Sequence, residues 1–130
     1  MEKGKFDRLI RIAMSVAQDI ECSNKHVSFI VCKNDILSVG VNSNRTHPLC
    51  AKYKYPLLGI HSELSAIIRA PKDTQFKRCK LINVRLSSDS WKYNRPIFRM
   101  SKPCKYCESW CLGMFKEIYY TTNNKFNILE

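Results

Sequence analysis

Ser101-Lys102-Pro103-Cys104-Lys105-Tyr106-Cys107 sets two thiols three residues apart behind a proline. Pro103 suits the first position of a helix, because its fixed φ is helical and its missing N–H costs nothing there. The spacing predicts a helix from about Pro103 to Phe115, with Cys104 and Cys107 on one face of its first turn. A helix N-terminus favours their thiolates. A thiol pair of this kind serves redox exchange or a structural metal as readily as a catalytic one. The flanking chain has to decide between them.

Downstream, Ile118-Tyr119-Tyr120-Thr121-Thr122 reads as a strand, and Asn123-Asn124 as a turn able to take positive φ. Phe126 to Leu129 then returns as a further strand. Upstream, residues 87–101 read as a loop holding Trp91, Lys92, Tyr93, Arg95, Phe98 and Arg99, preceded by a strand over Lys80 to Leu86. Ile60, Leu64, Ile67 and Ile68 mark a helix stopped before Pro71. Two β-branched runs, Val27–Cys32 and Ile36–Val41, flank the turn Lys33-Asn34-Asp35 and predict an antiparallel hairpin. Phe6, Leu9, Ile10, Ala13, Met14, Ala17 and Ile20 recur at helical spacing and predict a first helix ended by Ser23-Asn24. That stripe is core packing.

The order α-β-β-α-β-α-β-(β) predicts an α/β fold: one mixed sheet of four or five strands with helices on both faces. Right-handed crossovers put the starts of the second and third helices on one rim. Residues 1–130 read as a single domain, with no repeat and no linker. Residues 42–59 have no clear period. A connection of that length tends to be functional, and it carries Arg45, His47, Cys50, Lys52, Tyr53, Lys54 and Tyr55.

No run of eighteen apolar residues occurs, so no membrane span is expected. The N-terminus lacks a signal-peptide core, and seven irregularly spaced cysteines argue for reduced thiols plus a metal site rather than a disulfide framework. A cytoplasmic address is the expectation. With 22 Lys+Arg against 11 Asp+Glu, the net charge of +11 attracts phosphorylated small molecules or polyanions alike. The interleaved Lys52-Tyr53-Lys54-Tyr55 and Trp91-Lys92-Tyr93 fit strand binding, a lid over a small pocket, or mutual packing equally well.

His61-Ser62-Glu63 sits at the start of the second helix. On a first turn the imidazole can bind a metal while the carboxylate reaches the metal's open position. His61, Cys104 and Cys107 make three protein ligands, and three with one position open is the catalytic zinc arrangement, whereas structural sites close with four. Cys111, four residues after Cys107, is either a fourth ligand or a buried small hydrophobe. His47 and Cys50 complete no second ligand set, and His26 reads as a turn residue.

His61-Ser62-Glu63 followed by Pro103-Cys104-Lys105-Tyr106-Cys107 resembles the cytidine deaminase superfamily, with its H-x-E…P-C-x-x-C signature. Gly40-Val41-Asn42 is similar to the family's G-x-N at the end of the second strand. The likeness runs from about Phe6 to Tyr120. It departs in Ser62, where Ala is common, in the longer loop before Pro103, and in the short C-terminus. The resemblance implies a three-layer sandwich holding Zn²⁺ on His61, Cys104 and Cys107. Glu63 is then the proton carrier in hydrolytic deamination, and Asn42 the residue that holds the substrate's sugar. Asn42 has a plainer reading too, as a cap on the turn after the second strand. A cytosine nucleoside or nucleotide, of the deoxycytidylate or cytidine type, is the expected substrate, with uracil product and ammonia released. A polynucleotide deaminase and a non-catalytic zinc-stabilised nucleic-acid-binding module are the alternatives. Relatives in that family commonly assemble, so a homo-oligomer is compatible with the resemblance.

Overall fold

The computed structural model describes residues 3–20, 25–43, 61–122 and 125–129. Most of the 42–59 connection, including Arg45, His47, Cys50, Lys52, Tyr53, Lys54 and Tyr55, and the Asn123-Asn124 turn lie outside them.

Helix α1 (Lys3–Ala17) lays Leu9, Ile10, Ala13 and Ala17 into the core. It ends earlier than its apolar stripe. Ile20 reaches the same core from the turn beyond, where its N–H donates to Ala17 O at 3.1 Å. The exposed carbonyls of the helix end are taken by Lys25, whose Nζ donates to Ile20 O at 2.6 Å and Ala17 O at 3.2 Å. A cation there also complements the helix dipole.

Strands β1 (Lys25–Cys32) and β2 (Asp35–Val41) form the expected hairpin, with Lys33 at φ 57° in its two-residue turn. Helix α2 (Ser62–Arg69) leads by a single 3₁₀ turn, Phe76–Arg78, to β3 (Lys80–Leu86). The 87–101 segment is not a plain loop. It contains a short helix α3 (Asp89–Lys92) and a two-residue strand β4 (Phe98–Arg99) pairing Arg85↔Arg99 and Leu86↔Phe98. Two contacts order it. Trp91 packs against the α1 core and donates Nε1–H to Met14 O at 3.2 Å, and the buried Ser90 hydroxyl accepts from Ile97 N–H at 2.9 Å. Trp91 is therefore a packing residue, while Tyr93 is exposed.

Helix α4 (Lys105–Met114) starts two residues later than the proline suggests, because Cys104 is its N-cap and Pro103 precedes the cap. Strands β5 (Glu117–Thr122) and β6 (Lys125–Leu129) close the chain. The sheet is mixed and open, in the order β2-β1-β3-β5-β6, with β4 added beside β3. β3 and β5 run parallel around α4, and the other pairs are antiparallel. Counting β4, six strands stand where four or five are expected.

Alternation separates the two faces. Val27, Phe29, Ile82 and Val84 join the α1 core, while Ile30 and Leu81 join Ala66, Ile67, Cys107 and Cys111 beneath α2 and α4. Helices therefore cover both faces. On the α2 face two polar residues, Ser28 and Asn83, stand directly opposite each other in the β1–β3 pairing. No described helix is long and apolar enough to cross a membrane.

Candidate metal centre

The rim that carries Asn42 at the end of β2 and the C-terminal end of β3 also receives the N-termini of α2 and α4. In open α/β sheets that crevice is the usual ligand site. His61 is the N-cap of α2, with extended backbone (φ −78°, ψ 157°), and its carbonyl accepts Ser65 N–H at 3.1 Å. Cys104 caps α4 through its thiol: Sγ accepts Cys107 N–H at 3.4 Å.

The approach to α4 is pinned where β3 and β5 diverge. Ser101 is buried; its N–H donates to Thr121 O at 2.8 Å, and its hydroxyl donates to Asn83 O at 2.9 Å and accepts Thr121 N–H at 2.6 Å. The residue that opens the cysteine stretch is thus tied to both strands, and the two cysteines inherit that fixed position.

His61, Cys104 and Cys107 offer ligand atoms all within 4.8 Å of one another, a group able to hold a metal ion. His61 Nδ1 lies 3.5 Å from Cys104 Sγ and 3.6 Å from Cys107 Sγ. Burial, ahead of the charges of Glu63 and Cys104, holds the Cys107 thiol far above its ordinary range. A bound cation reverses that preference, since a coordinating thiol is deprotonated outright. Cys111 is fully buried in the apolar cluster under α4 and outside the ligand group. Burial raises its thiol too.

Glu63 is 5% exposed and lies in the first turn of the same helix as Ser62. Burial pushes its carboxyl above the usual carboxylate range, against hydrogen bonds and the charge of His61, which act to lower it. Asn83 Nδ2 donates to Glu63 Oε2 at 3.2 Å and to Ser101 O at 3.3 Å, while Asn83 Oδ1 accepts Ser28 Oγ–H at 2.6 Å. Ser62 Oγ donates to Glu63 Oε1 at 3.2 Å and lies 2.7 Å from Ser28 Oγ. The polar pair on the apolar face is thereby explained. Asn83 and Ser62 hold the buried carboxyl and Ser28 bonds to Asn83, and two polar residues interrupting apolar strands are the sequence signal for Ser28 and Asn83.

A cavity of about 180 Å³ opens here, with His61, Glu63, Cys104, Asn42, Lys102 and His26 in its wall. Asn42 Oδ1 accepts His26 N–H at 2.9 Å, and Asn42 N–H donates to His26 O at 3.3 Å. The side chain therefore joins the end of β2 to the start of β1 as well as facing the site.

His26 is a strand residue, not a turn residue: it pairs with Arg85 in β1–β3. Burial, then the positive charges of Arg85 and His61, hold its imidazole down to about 4. It is neutral at pH 7. An unfolded chain takes up the proton near pH 6.5 that the folded chain refuses until about 4, so the contribution of His26 to the stability of metal-free protein is lost as pH falls between those values, opposite in sign to that of Glu63. The loss reaches about 3 kcal/mol. Urea unfolding of chelator-treated protein across that window should show it, and His26→Gln should flatten the difference; an unchanged slope in the variant contradicts the assignment.

No family model and no curated protein matches the chain.

Proposed function

We propose that the protein is a zinc-dependent hydrolytic deaminase of the cytidine deaminase superfamily, acting on a cytosine nucleoside or nucleotide. The observation that carries this reading is the His61/Cys104/Cys107 group, of which His61 and Cys104 share the wall of one small cavity with the buried Glu63. Zinc fits the donor spacing. Tetrahedral bonds of about 2.3 Å to sulfur and about 2.05 Å to nitrogen place the two donor types about 3.6 Å apart, against 3.5 and 3.6 Å for His61 Nδ1 to the two thiols.

His61, Cys104 and Cys107 would hold the zinc, which when bound would supply the Lewis acidity that makes a water ionise near neutral pH. The remaining steps belong to the chain. The water oxygen adds to the ring carbon bearing the amine, and Glu63 takes the proton and passes it to the adjacent ring nitrogen. Glu63 then takes the second proton from the newly added hydroxyl and delivers it to the amine nitrogen, so that the carbonyl forms as the C–N bond breaks and ammonia leaves. A carboxyl whose pKa is raised by burial is suited to both directions of transfer. Ser62 and Asn83 keep it in one orientation.

Asn42 is the proposed sugar contact; its carbonyl end is held by His26 N–H, so donation to a sugar hydroxyl falls to Nδ2. Lys102, exposed on the cavity wall, favours a nucleotide over a nucleoside through its charge.

The test offers cytidine, deoxycytidine, their monophosphates, adenosine, and single-stranded DNA and RNA in parallel, reading ammonia release and metal content. Conversion of a cytosine monomer by protein carrying one zinc per chain is expected. Conversion of strands alone shows a polynucleotide deaminase instead. Zinc retention with no ammonia from any substrate shows a non-catalytic module, and protein without zinc overturns all three.

A further inference from the structure

The opposite rim of the sheet has a different character. β1 is eight residues long, so at about 3.3 Å per residue its two ends lie about 23 Å apart. At the far end from His26, the β1–β2 turn, the start of β3 and the entry to β5 meet the first turns of α1 and the Phe76–Arg78 turn. Two cavities open there. One, of about 340 Å³, is lined by Lys5, Arg8, Lys33 and Lys80. The other, of about 920 Å³, shares Lys33 and Lys80 and adds Lys77, Arg78 and Lys116. Seven cations thus line the two cavities, which share Lys33 and Lys80, against Asp35 and Asp73. Lys80 also lies 3.9 Å from Glu117.

The arrangement is ordered. Lys33 follows β1, Lys80 opens β3 and Lys116 precedes β5, and these strands are neighbours in the sheet. Adjacent strands lie about 4.8 Å apart, so these three cations step across the rim in a row about 10 Å long. Lys5 and Arg8 flank it on the α1 face of the sheet, and Lys77 and Arg78 on the opposite face. The α1 flank of the row breaks a local rule. The first turn of a helix favours carboxylates, yet α1 has none there and presents Lys5 instead. Cations placed against the helix dipole cost stability, which suits a surface kept positive for a ligand.

We propose that this rim binds the phosphate backbone of a nucleic acid, without reading its bases. The cations line concave walls, which a flat membrane does not enter. The large exposed apolar residues among those described are Tyr93, Met100 and Leu112, none of them lining either cavity. A membrane-inserting face or a protein interface needs apolar or aromatic anchors. No aromatic side chain lines the two cavities among the described residues, so base stacking adds nothing and contact is to phosphate alone. The inference is independent of the deaminase reading and survives its failure.

Fluorescence anisotropy with a labelled DNA duplex and a labelled single strand tests it, between about 50 and 200 mM salt. Both probes should bind, with log affinity falling linearly in log salt by about 0.9 per phosphate neutralised on duplex and about 0.7 on single strands. The triple charge reversal Lys33→Glu, Arg78→Glu and Lys116→Glu, all at exposed positions, should weaken binding at least about tenfold and reduce the slope by about 2 to 3. Its thermal midpoint and metal content should match the unmodified protein, and Lys102→Glu on the other rim should leave the affinity unchanged. Wild-type affinity in the triple variant overturns the proposal, as does absence of binding at low salt. So does binding of single strands alone, or of inorganic triphosphate without either oligonucleotide.

Discussion

Under the proposed deaminase function, Glu63→Gln is expected to abolish ammonia release, by at least about 10²- to 10⁴-fold, while fold and metal retention stay those of the unmodified protein. The amide preserves the shape of the side chain and most of its bonds. Its carbonyl can accept from Asn83 Nδ2, as Glu63 Oε2 does at 3.2 Å, and its NH₂ group can donate to Ser62 Oγ. What disappears is the capacity to take and return a proton. The substitution should also stabilise metal-free protein at neutral pH. Burial raises the Glu63 carboxyl above its unfolded value. The folded chain therefore bears a cost that is absent below the unfolded pKa, grows as pH rises through the folded one, and persists above it. An uncharged amide does not bear it. Ammonia assays, zinc analysis and thermal melts on one preparation separate these effects. Full activity in the variant would remove Glu63 from the mechanism, and loss of metal together with activity would make it a structural residue.

Much of this candidate site is legible in the sequence, because its parts obey local rules. The strand over Lys80–Leu86 stands where alternation places it, and the two helix starts that bear His61 and the cysteines meet on one rim. Other features depend on contacts between distant segments. The start of α4 moves past Pro103 because the Cys104 thiol satisfies Cys107 N–H, a bond that competes with the proline's preference for the first helical position. The 87–101 segment acquires a helix and a strand because Trp91 finds Met14 O across 77 residues of sequence, and no local propensity encodes that partner. His26 looks like a residue at the edge of a turn until its register with Arg85 places it in the cavity wall. Ser28 and Asn83 are visible as polar breaks in apolar strands, but only the β1–β3 register makes them partners.

Gly40 carries the second large effect. In sequence it is one letter of a short motif; in the fold it is where α2 rests on β2. A Cβ at this position would lie 2.2 Å from Ala66 N, 2.4 Å from Ser62 O and 2.7 Å from Ala66 Cα. All three are backbone atoms of the helix, so no side-chain rotation relieves the clash. The helix must lift by about 1 Å or more to regain van der Waals separation near 3.5 Å. Overpacking of a core costs about 1–3 kcal/mol even where side chains can yield, and lifting α2 also strains the 2.6 Å bond from Ser38 Oγ to Ala66 O, worth about 1 kcal/mol. Gly40→Ala should therefore destabilise the protein by about 3 kcal/mol or more, a large share of the roughly 5–15 kcal/mol typical of a domain. It should weaken metal retention as well, because the displaced helix carries His61 and Glu63. Gly113→Ala is the control. It is the same change inside α4, where nothing lies within 4 Å of the added carbon, and an alanine there should stabilise by about 0.5–1 kcal/mol. Denaturant midpoints of the two variants should move in opposite directions, and metal loaded on the His61/Cys104/Cys107 group should leave the Gly40→Ala protein at lower chelator concentration. A Gly40→Ala midpoint equal to that of the unmodified protein would mean that α2 does not sit on β2 as described, and the placement of His61 would fall with it.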